Sequence, residues 1–593
     1  MVSLRSDIFT VSIVSVQETG AAKPLWAALL ACSLLVPAAA QQGAADHHEF
    51  EAALDAPFLG GEAGTRPLHL RFRYPGAASG QRLHWQLDLL DQRGRSLRRW
   101  QGQAALRGPE LQLAPVWAAG RARNAAAARP PAGLYHLRLR AAPEPLARAA
   151  HGKATSQARQ MWRAEPAIEQ SWPIAIGLPP ALCIAGGKAL PLAAQTTAAP
   201  PAASLTGKPL AELASADRPY TVYLGNLHSQ TGHSDGGGEL PGCHGAQEPQ
   251  SAAAGPAQAF AYARAHGLDF LMTSEHNHMY DGSEGSDPNA DASRARQLYQ
   301  SGLAQTAAFN AAHPGFLGVY GMEWGVISKG GHLNIFNSPE LLGWERNGAG
   351  ELMADTFTAK GDYASLYQLM RERGWIGQFN HPGDSQFRID GQAFAFSSDG
   401  EQAMVLCEVM NSSAFSSRSD EQESHLSNYE ERCRTLLEAG YHLAFSSNQD
   451  NHCANWGASY SNRTGILLPA GDSLTLDNLV TALRQRRVFA TMDKGSQLIL
   501  RANGHLMGER FDNSGPLQFQ LSYASSSDHS PVRVEIFEGV PGRKASTRLL
   551  AQDQDSPTIT PPPGEHFYYA RLTQDDGKQL WSAPLWVKQQ APP

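Results

Sequence analysis

Cysteine is scarce in this sequence: six in 593 residues, none in C-x-x-C spacing. That argues against a Cys-rich zinc site. An excess of positive charge is also missing. Lys and Arg number 49 against 56 Asp and Glu, a net charge of -7, and Arg is scattered rather than striped. Nucleic acid is therefore not an expected partner. Apolar runs long enough to cross a bilayer are absent as well. What is present is a globular composition, with 42% hydrophobic and 18% charged residues, long enough for two to four domains. There are 21 His. Several in the middle third stand beside Asp, Glu, Asn and Gly.

The first 40 residues read as a signal peptide. Lys23 precedes an apolar run from Leu25 to Val36, and Ala38-Ala39-Ala40 offers an A-x-A cleavage site. The expected destination is the periplasm or the outside. A lipoprotein signal at Leu29-Leu30-Ala31-Cys32 fits less well, because Leu holds its second position. Five cysteines then remain: Cys183, Cys243, Cys407, Cys433 and Cys453. An oxidising compartment permits two disulfides and one thiol among them, with the pairing left open.

Residues 48–180 alternate apolar and polar at period two between Gly/Pro turns, which predicts an N-terminal β-sandwich, structural or carbohydrate-docking. Residues 181–219 turn to Ala, Pro, Thr and Ser and predict a linker. Residues 497–593 return to the strand pattern and predict a second sandwich.

Between them, residues 220–496 alternate strands and helices. PAQAFAYARAH begins at Pro256 and stops at Gly267, DYASLYQLMRER stops at Gly374, SNYEERCRTLLEA stops at Gly440, and Thr475 is placed to cap LDNLVTALRQRR. Seven strand-like runs, most followed by a helix, predict a (β/α) barrel of parallel strands. The runs end in residues of catalytic type. TVYLGN leads to His228, Gln230, His233 and Asp235. GLDFLMT leads to His276 and His278, and FLGVYGM to Glu323. His332 opens LNIFN. GWIGQFN leads to His381, AMVLCEVM carries Glu408 and leads to Asn411, and YHLAFSS leads to Asp450 and His452. In such a barrel these ends share one rim. His with Asp or Glu, and no Cys, suits zinc, manganese or iron.

The motifs NLHSQTGHSDG, TSEHNH, GMEW followed by GGHLN, NHPGD, EVMNSS and SSNQDNH resemble, in this order, those of the PHP (polymerase and histidinol phosphatase) superfamily of metallohydrolases. The carbaryl-hydrolase-like branch is the most similar. The resemblance implies a PHP-type seven-stranded barrel holding two or three divalent metal ions (Zn, Mn or Fe). Carried over by motif, the ligands are His228, Gln230, Asp235, His276, Glu323, His332, His381, Asp450 and His452, with Glu323 bridging two ions. Gln230 departs from the family's H-x-H, and its side-chain oxygen would be a weaker ligand for zinc. Glu275 replaces the Asp of a T-D-H motif in a position that orients the imidazole. The reaction implied is hydrolysis of a small anionic ester, foremost a phosphoester, by a hydroxide generated on a di- or trinuclear centre. Glu323, His278 as proton donor and Arg418 as anion clamp are the expected catalytic residues, with Arg463 a second candidate clamp. A carboxylic or carbamate ester is the alternative substrate. A non-catalytic surface binding protein on a degenerate barrel is the alternative outside enzymology.

Overall fold

The computed structural model describes residues 50–591, apart from 61–64, 75–79, 109, 120, 123–129, 145–167, 185–189, 194–219, 244, 384–385 and 390–391. The expected signal peptide at 1–40 and most of the expected linker lie outside the described residues. The described chain is mostly β, with its longer helices confined to the middle third.

The middle third is built on strands β1 (Tyr220–Asn226), β2 (Phe270–His276), β3 (Leu317–Val326), β4 (Gly331–Ile335), β5 (Gly377–Phe379), β6 (Met404–Ser412) and β7 (Ala444–Asn448). They hydrogen-bond in the order β7-β6-β5-β4-β3-β2-β1, and β1 continues onto β8 (Arg463–Pro469) and β9 (Val488–Thr491). Beyond their ends, the chains following β1 and β7 meet again. Ser229 and Asn451 form a parallel bridge, and the Asp450 N–H donates to the His228 carbonyl at 2.9 Å. Strands β2, β3 and β6 are buried at every position, as strands covered on both faces must be.

The expected parallel strand set, allowed to be irregular, is interrupted at β4, which pairs antiparallel with both β3 and β5. Only Ile327–Lys329 and Gly330 separate it from β3. A parallel return needs a crossover of about a dozen residues. Gly330 and Gly331, at φ 135° and 126°, turn the chain back instead.

Helices α1 (Pro256–Ala265), α2 (Ala292–Ala312), α3 (Tyr363–Arg373), α4 (Ser398–Ala403), α5 (Glu430–Ala439) and α6 (Leu476–Arg484) fall between these strands. Their ends follow the sequence signals. Gly374 and Gly440 close α3 and α5 in the left-handed conformation, and the Thr475 side chain accepts the Asn478 N–H at the start of α6.

Two antiparallel sheets precede the middle third. One joins Glu51–Asp55, His69–Arg73 and Glu110–Leu113; the other is centred on Arg82–Leu90 and Gly133–Pro143. They share a core that includes Phe72, Leu87, Leu137, Leu139 and Ile174. After the middle third, β9 pairs with Gln579–Ser582, so some C-terminal strands extend the same sheet, while Ser496–Ala502, His505–Leu506, Leu517–Ser525 and Thr558–Ile559 form a separate four-stranded sheet. Two disulfides are present, Cys243–Cys453 and Cys407–Cys433, and Cys183 is a free, exposed thiol.

Candidate metal centre

Glu323 sits near the end of β3, fully buried. Its cross-strand neighbours are His276 on β2 and Asn334 on β4. One oxygen, Oε1, lies 3.0 Å from His332 Nδ1 and 3.3 Å from His381 Nε2. The other, Oε2, lies 3.0 Å from His228 Nε2 and 3.6 Å from His276 Nδ1. His228 Nε2 also meets Asp450 Oδ1 at 3.1 Å. Asp235 reaches His276 at 3.7 Å and His452 at 3.5 Å. Eight of the nine expected ligands, from six separate segments, thus form one connected cluster that includes Glu323. His381 and Asp450 hold backbone φ of 24° and 51°. Such conformations are strained for these residue types and concentrate at functional sites.

Burial alone would lower the His228 imidazole, but Asp450, Glu323 and Glu408 outweigh it and carry the ring well above its usual value. Burial would raise Glu323, yet His228, His332 and His276 hold its carboxyl well below the usual range. His452 follows the same logic: desolvation lowers it, and Asp235 with Asp450 lifts it to about 9. Burial raises Glu275 to about 7, against hydrogen bonds from Thr231 and Ser234 that lower it.

The donor set fits divalent ions. Three groups each bring their ligand atoms within 4.8 Å of one another: His228, Glu323 and His381; Asp235, His276 and His452; His276, Glu323 and His332. His332 Nε2 is buried with no hydrogen-bond partner among the described residues. A buried nitrogen left so is costly unless something accepts its lone pair or its proton.

Gln230, Arg418 and Arg463 are each engaged by other partners. Gln230 does not turn its oxygen to the cluster. Its Nε2 donates to Glu323 Oε2 at 2.7 Å, and its Oε1 accepts from Ser234 at 3.3 Å. Placed this way, the amide offers the carboxylate its N–H rather than its oxygen. Arg418 is exposed and engaged by Asp420 at 3.1 Å, so its guanidinium is spent at the surface rather than on the cluster. Arg463 is likewise occupied, buried against Glu421 at 2.9 Å and its own neighbours' carbonyls. His278 lies beside His276, with ring centroids 5.8 Å apart, and stacks on Trp344. His233 stands behind the cluster, bonded to the Tyr320 hydroxyl at 2.8 Å.

Sequence reasoning missed the amides that orient the ligands. Asn380 donates to Glu323 Oε1 at 2.8 Å, and Gln386 Nε2 meets His381 Nδ1 at 3.0 Å. Asn448 donates to Glu408 at 3.0 Å; Glu408 in turn meets His228 Nδ1 at 3.2 Å and accepts the His381 N–H at 2.7 Å. Asn380 precedes His381 directly and Asn448 ends a strand run, which was the available signal.

The cluster forms the floor of a cleft of about 450 Å³. Its walls come from β6, the start of α5, and the N-terminal sheets through Phe50, His136, Ile168 and Gln170. The Arg73 guanidinium stacks 3.9 Å over the Phe415 ring, whose centroid is 4.8 Å from that of His452.

No protein-family model and no curated protein matches this sequence. Among solved structures, a Bacteroides uniformis β-glucuronidase 2 is similar at 9% identity over 91% of this chain and 61% of its own, with a TM-score of 0.14. A Parabacteroides merdae β-glucuronidase is similar at 10% identity over 92% and 65%, with a TM-score of 0.15. The chain thus spans less than two thirds of either structure, and superpositions this poor carry no argument about fold or activity.

Proposed function

We propose that this chain is an exported, metal-dependent hydrolase of PHP type, a phosphoesterase acting on a small anionic ester. The observation that carries the reading is the convergence of His228, Asp235, His276, His332, His381, Asp450 and His452 on Glu323 at the floor of a cleft. The strand order β7 to β1, with the chain ends beyond β1 and β7 bridged, supports a seven-stranded barrel as their frame.

Two or three divalent ions, zinc, manganese or iron, would be held by the three ligand groups, with Glu323 shared between two of them. When bound, such ions supply a water of lowered pKa and stabilise charge on the ester oxygens. The chain's own residues do the rest. Glu408 fixes the His228 ring through Nδ1 and the His381 backbone through its N–H, as orienting carboxylates do. Asn380 and Gln230 each donate to one oxygen of Glu323 and fix its rotamer. His278, next to His276, is the residue for delivering a proton to the leaving oxygen. The N-terminal sheets cover one side of the cleft and restrict water. Two disulfides suit an oxidising destination.

Elemental analysis of the purified chain, with a release assay on p-nitrophenyl phosphate, bis-p-nitrophenyl phosphate and an aryl carbamate, tests this reading. Metal at one or more ions per chain and release from a phosphate ester are expected. A chain that binds none of the three metals, or releases product only from the carbamate, refutes it.

A further inference from the structure

The far wall of the cleft carries polar atoms that the chemistry at its floor does not use. Gln170 belongs to the N-terminal strand Ile168–Ile176 and is 5% exposed. Its Nε2 donates to the Ser427 hydroxyl at 3.1 Å, while its Oε1 is buried with no hydrogen-bond partner among the described residues. Ser427 is the cross-strand partner of Asn411 on β6. Directly opposed residues share a face of the sheet. Asn411 is 4% exposed, and its Nδ2 donates to Glu408 at 3.1 Å. A carboxylate only accepts, so the amide orientation is fixed. Asn411 Oδ1 is the second buried acceptor without a partner among the described residues. Gln170, Ser427 and Asn411 all line the same cleft as Asp235, His276 and His452.

Two carbonyl oxygens withheld from water and left unpaired are each costly. They come from two different parts of the chain, are linked through Ser427, and belong to residues that line a cavity large enough for a small molecule. We propose that Gln170 and Asn411 form a subsite for a hydroxyl-bearing, uncharged alcohol, the leaving group of the ester, as in a sugar or polyol phosphate. Hydroxyl donors satisfy both oxygens. The same hydroxyls also accept from Ser171, Ser413 and Ser427, which line the wall with them. An ammonium group offers donors only and cannot accept from these serines. Phe50, Ile168 and Phe415 supply the apolar surface against which a ring can lie. The N-terminal sheets are then part of the substrate site rather than a separate docking module. This assignment rests on the phosphoester reading for the anchoring of the other end of the ligand.

The test is calorimetric titration of the full-length, metal-reconstituted chain with two hydrolysis-resistant ligands. These are the methylene phosphonate analogues of glucose 1-phosphate and of cyclohexyl phosphate, alike in size and unlike in hydroxyls. The glucose analogue is expected to bind at least about tenfold more tightly, since a site with buried polar groups rejects the ligand that leaves them unpaired. Gln170→Met, which keeps side-chain length and removes the acceptor, is expected to narrow that difference severalfold by loss on the glucose side. The wild-type comparison stands whether or not the variant folds. Equal affinity of the wild-type chain for both ligands overturns the hydroxyl subsite alone. Binding of neither overturns the phosphoester anchor together with it.

Discussion

At the scale of single residues, the cluster turns on Glu323, whose two oxygens meet four imidazoles and two amides. Its rotamer is fixed from both sides, so its neighbours can be altered one at a time. Glu408→Gln keeps the shape but weakens the acceptor that orients His228 and the His381 backbone. Metal affinity is expected to fall about 10- to 100-fold, the usual cost of losing an orienting carboxylate. Competition with a coloured chelator measures it, and an unchanged affinity refutes the role. Gln230→His replaces an amide that donates to Glu323 with a ring that can ligate. Metal affinity is expected to rise; equal affinity of the two forms in the same titration removes the idea. Most of these residues were legible in sequence because each directly follows or ends an apolar run. Gln230 was legible as a position but not as an orientation. Only the pairing with Glu323 shows which end of the amide faces the cluster.

At the scale of elements, strands carry His276, Glu323 and His332, the loops beyond strand ends carry the other ligands, and a covalent tie joins two of those loops. Cys243 follows Asp235 by eight residues, and Cys453 follows His452 directly. Their disulfide connects the loops that supply Asp235 and His452 to the group these form with His276. Cys243→Ser is therefore expected to lower bound metal at that group while leaving the Cys407–Cys433 bond intact. A loss of about 2–5 kcal/mol in stability is expected alongside. Metal content against chemical denaturation reads both, and a variant with full metal content refutes the link to the site. Helix ends behave as local chemistry dictates. Thr475→Ala at the start of α6 is expected to cost about 1 kcal/mol in urea unfolding, because Thr475 satisfies an N–H that has no partner within the helix.

At the scale of the whole molecule, one buried carboxylate fastens the middle third to the C-terminal strands. Glu430, the first residue of α5, receives Arg434 at 2.5 Å, Arg571 at 2.6 Å, the Tyr569 hydroxyl at 2.6 Å and the Trp581 indole at 2.9 Å. Burial would raise its carboxyl, but the two guanidinium groups and these hydrogen bonds hold it far below the usual range. Glu430→Ala takes the carboxylate from the largely buried Arg434 and leaves Arg571 with Glu535 alone, and a loss of about 3 kcal/mol is expected. The sign of the pH dependence follows from the depressed value. The unfolded chain takes up the proton first. The contribution of Glu430 is therefore complete above the ordinary Glu range and is lost as pH falls below it. Acid unfolding of the wild-type chain should steepen there, and Glu430→Ala should flatten that limb. A variant with the same acid profile refutes the assignment.

The sequence by itself determined the local pieces: which runs form strands, where Gly374 and Gly440 stop helices, where Thr475 starts one, and which imidazoles and acids stand at strand ends. These depend on neighbours a few residues away, so they are written in short spacings. Even the reversal at β4 was implicit in Gly330-Gly331, since four residues cannot carry a parallel crossover. Only the tertiary structure decided which ends meet. His228 and Asp450 are 222 positions apart in sequence, and His228 Nε2 lies 3.1 Å from Asp450 Oδ1. Their meeting depends on strand order, which no local pattern encodes. The same holds for Gln170, a residue with no chemical signature in its own strand. It gains a place beside the cleft because the N-terminal strands pack against Leu426–Asn428, the strand beside β6. It is burial against those distant partners that leaves its oxygen without water and without a donor.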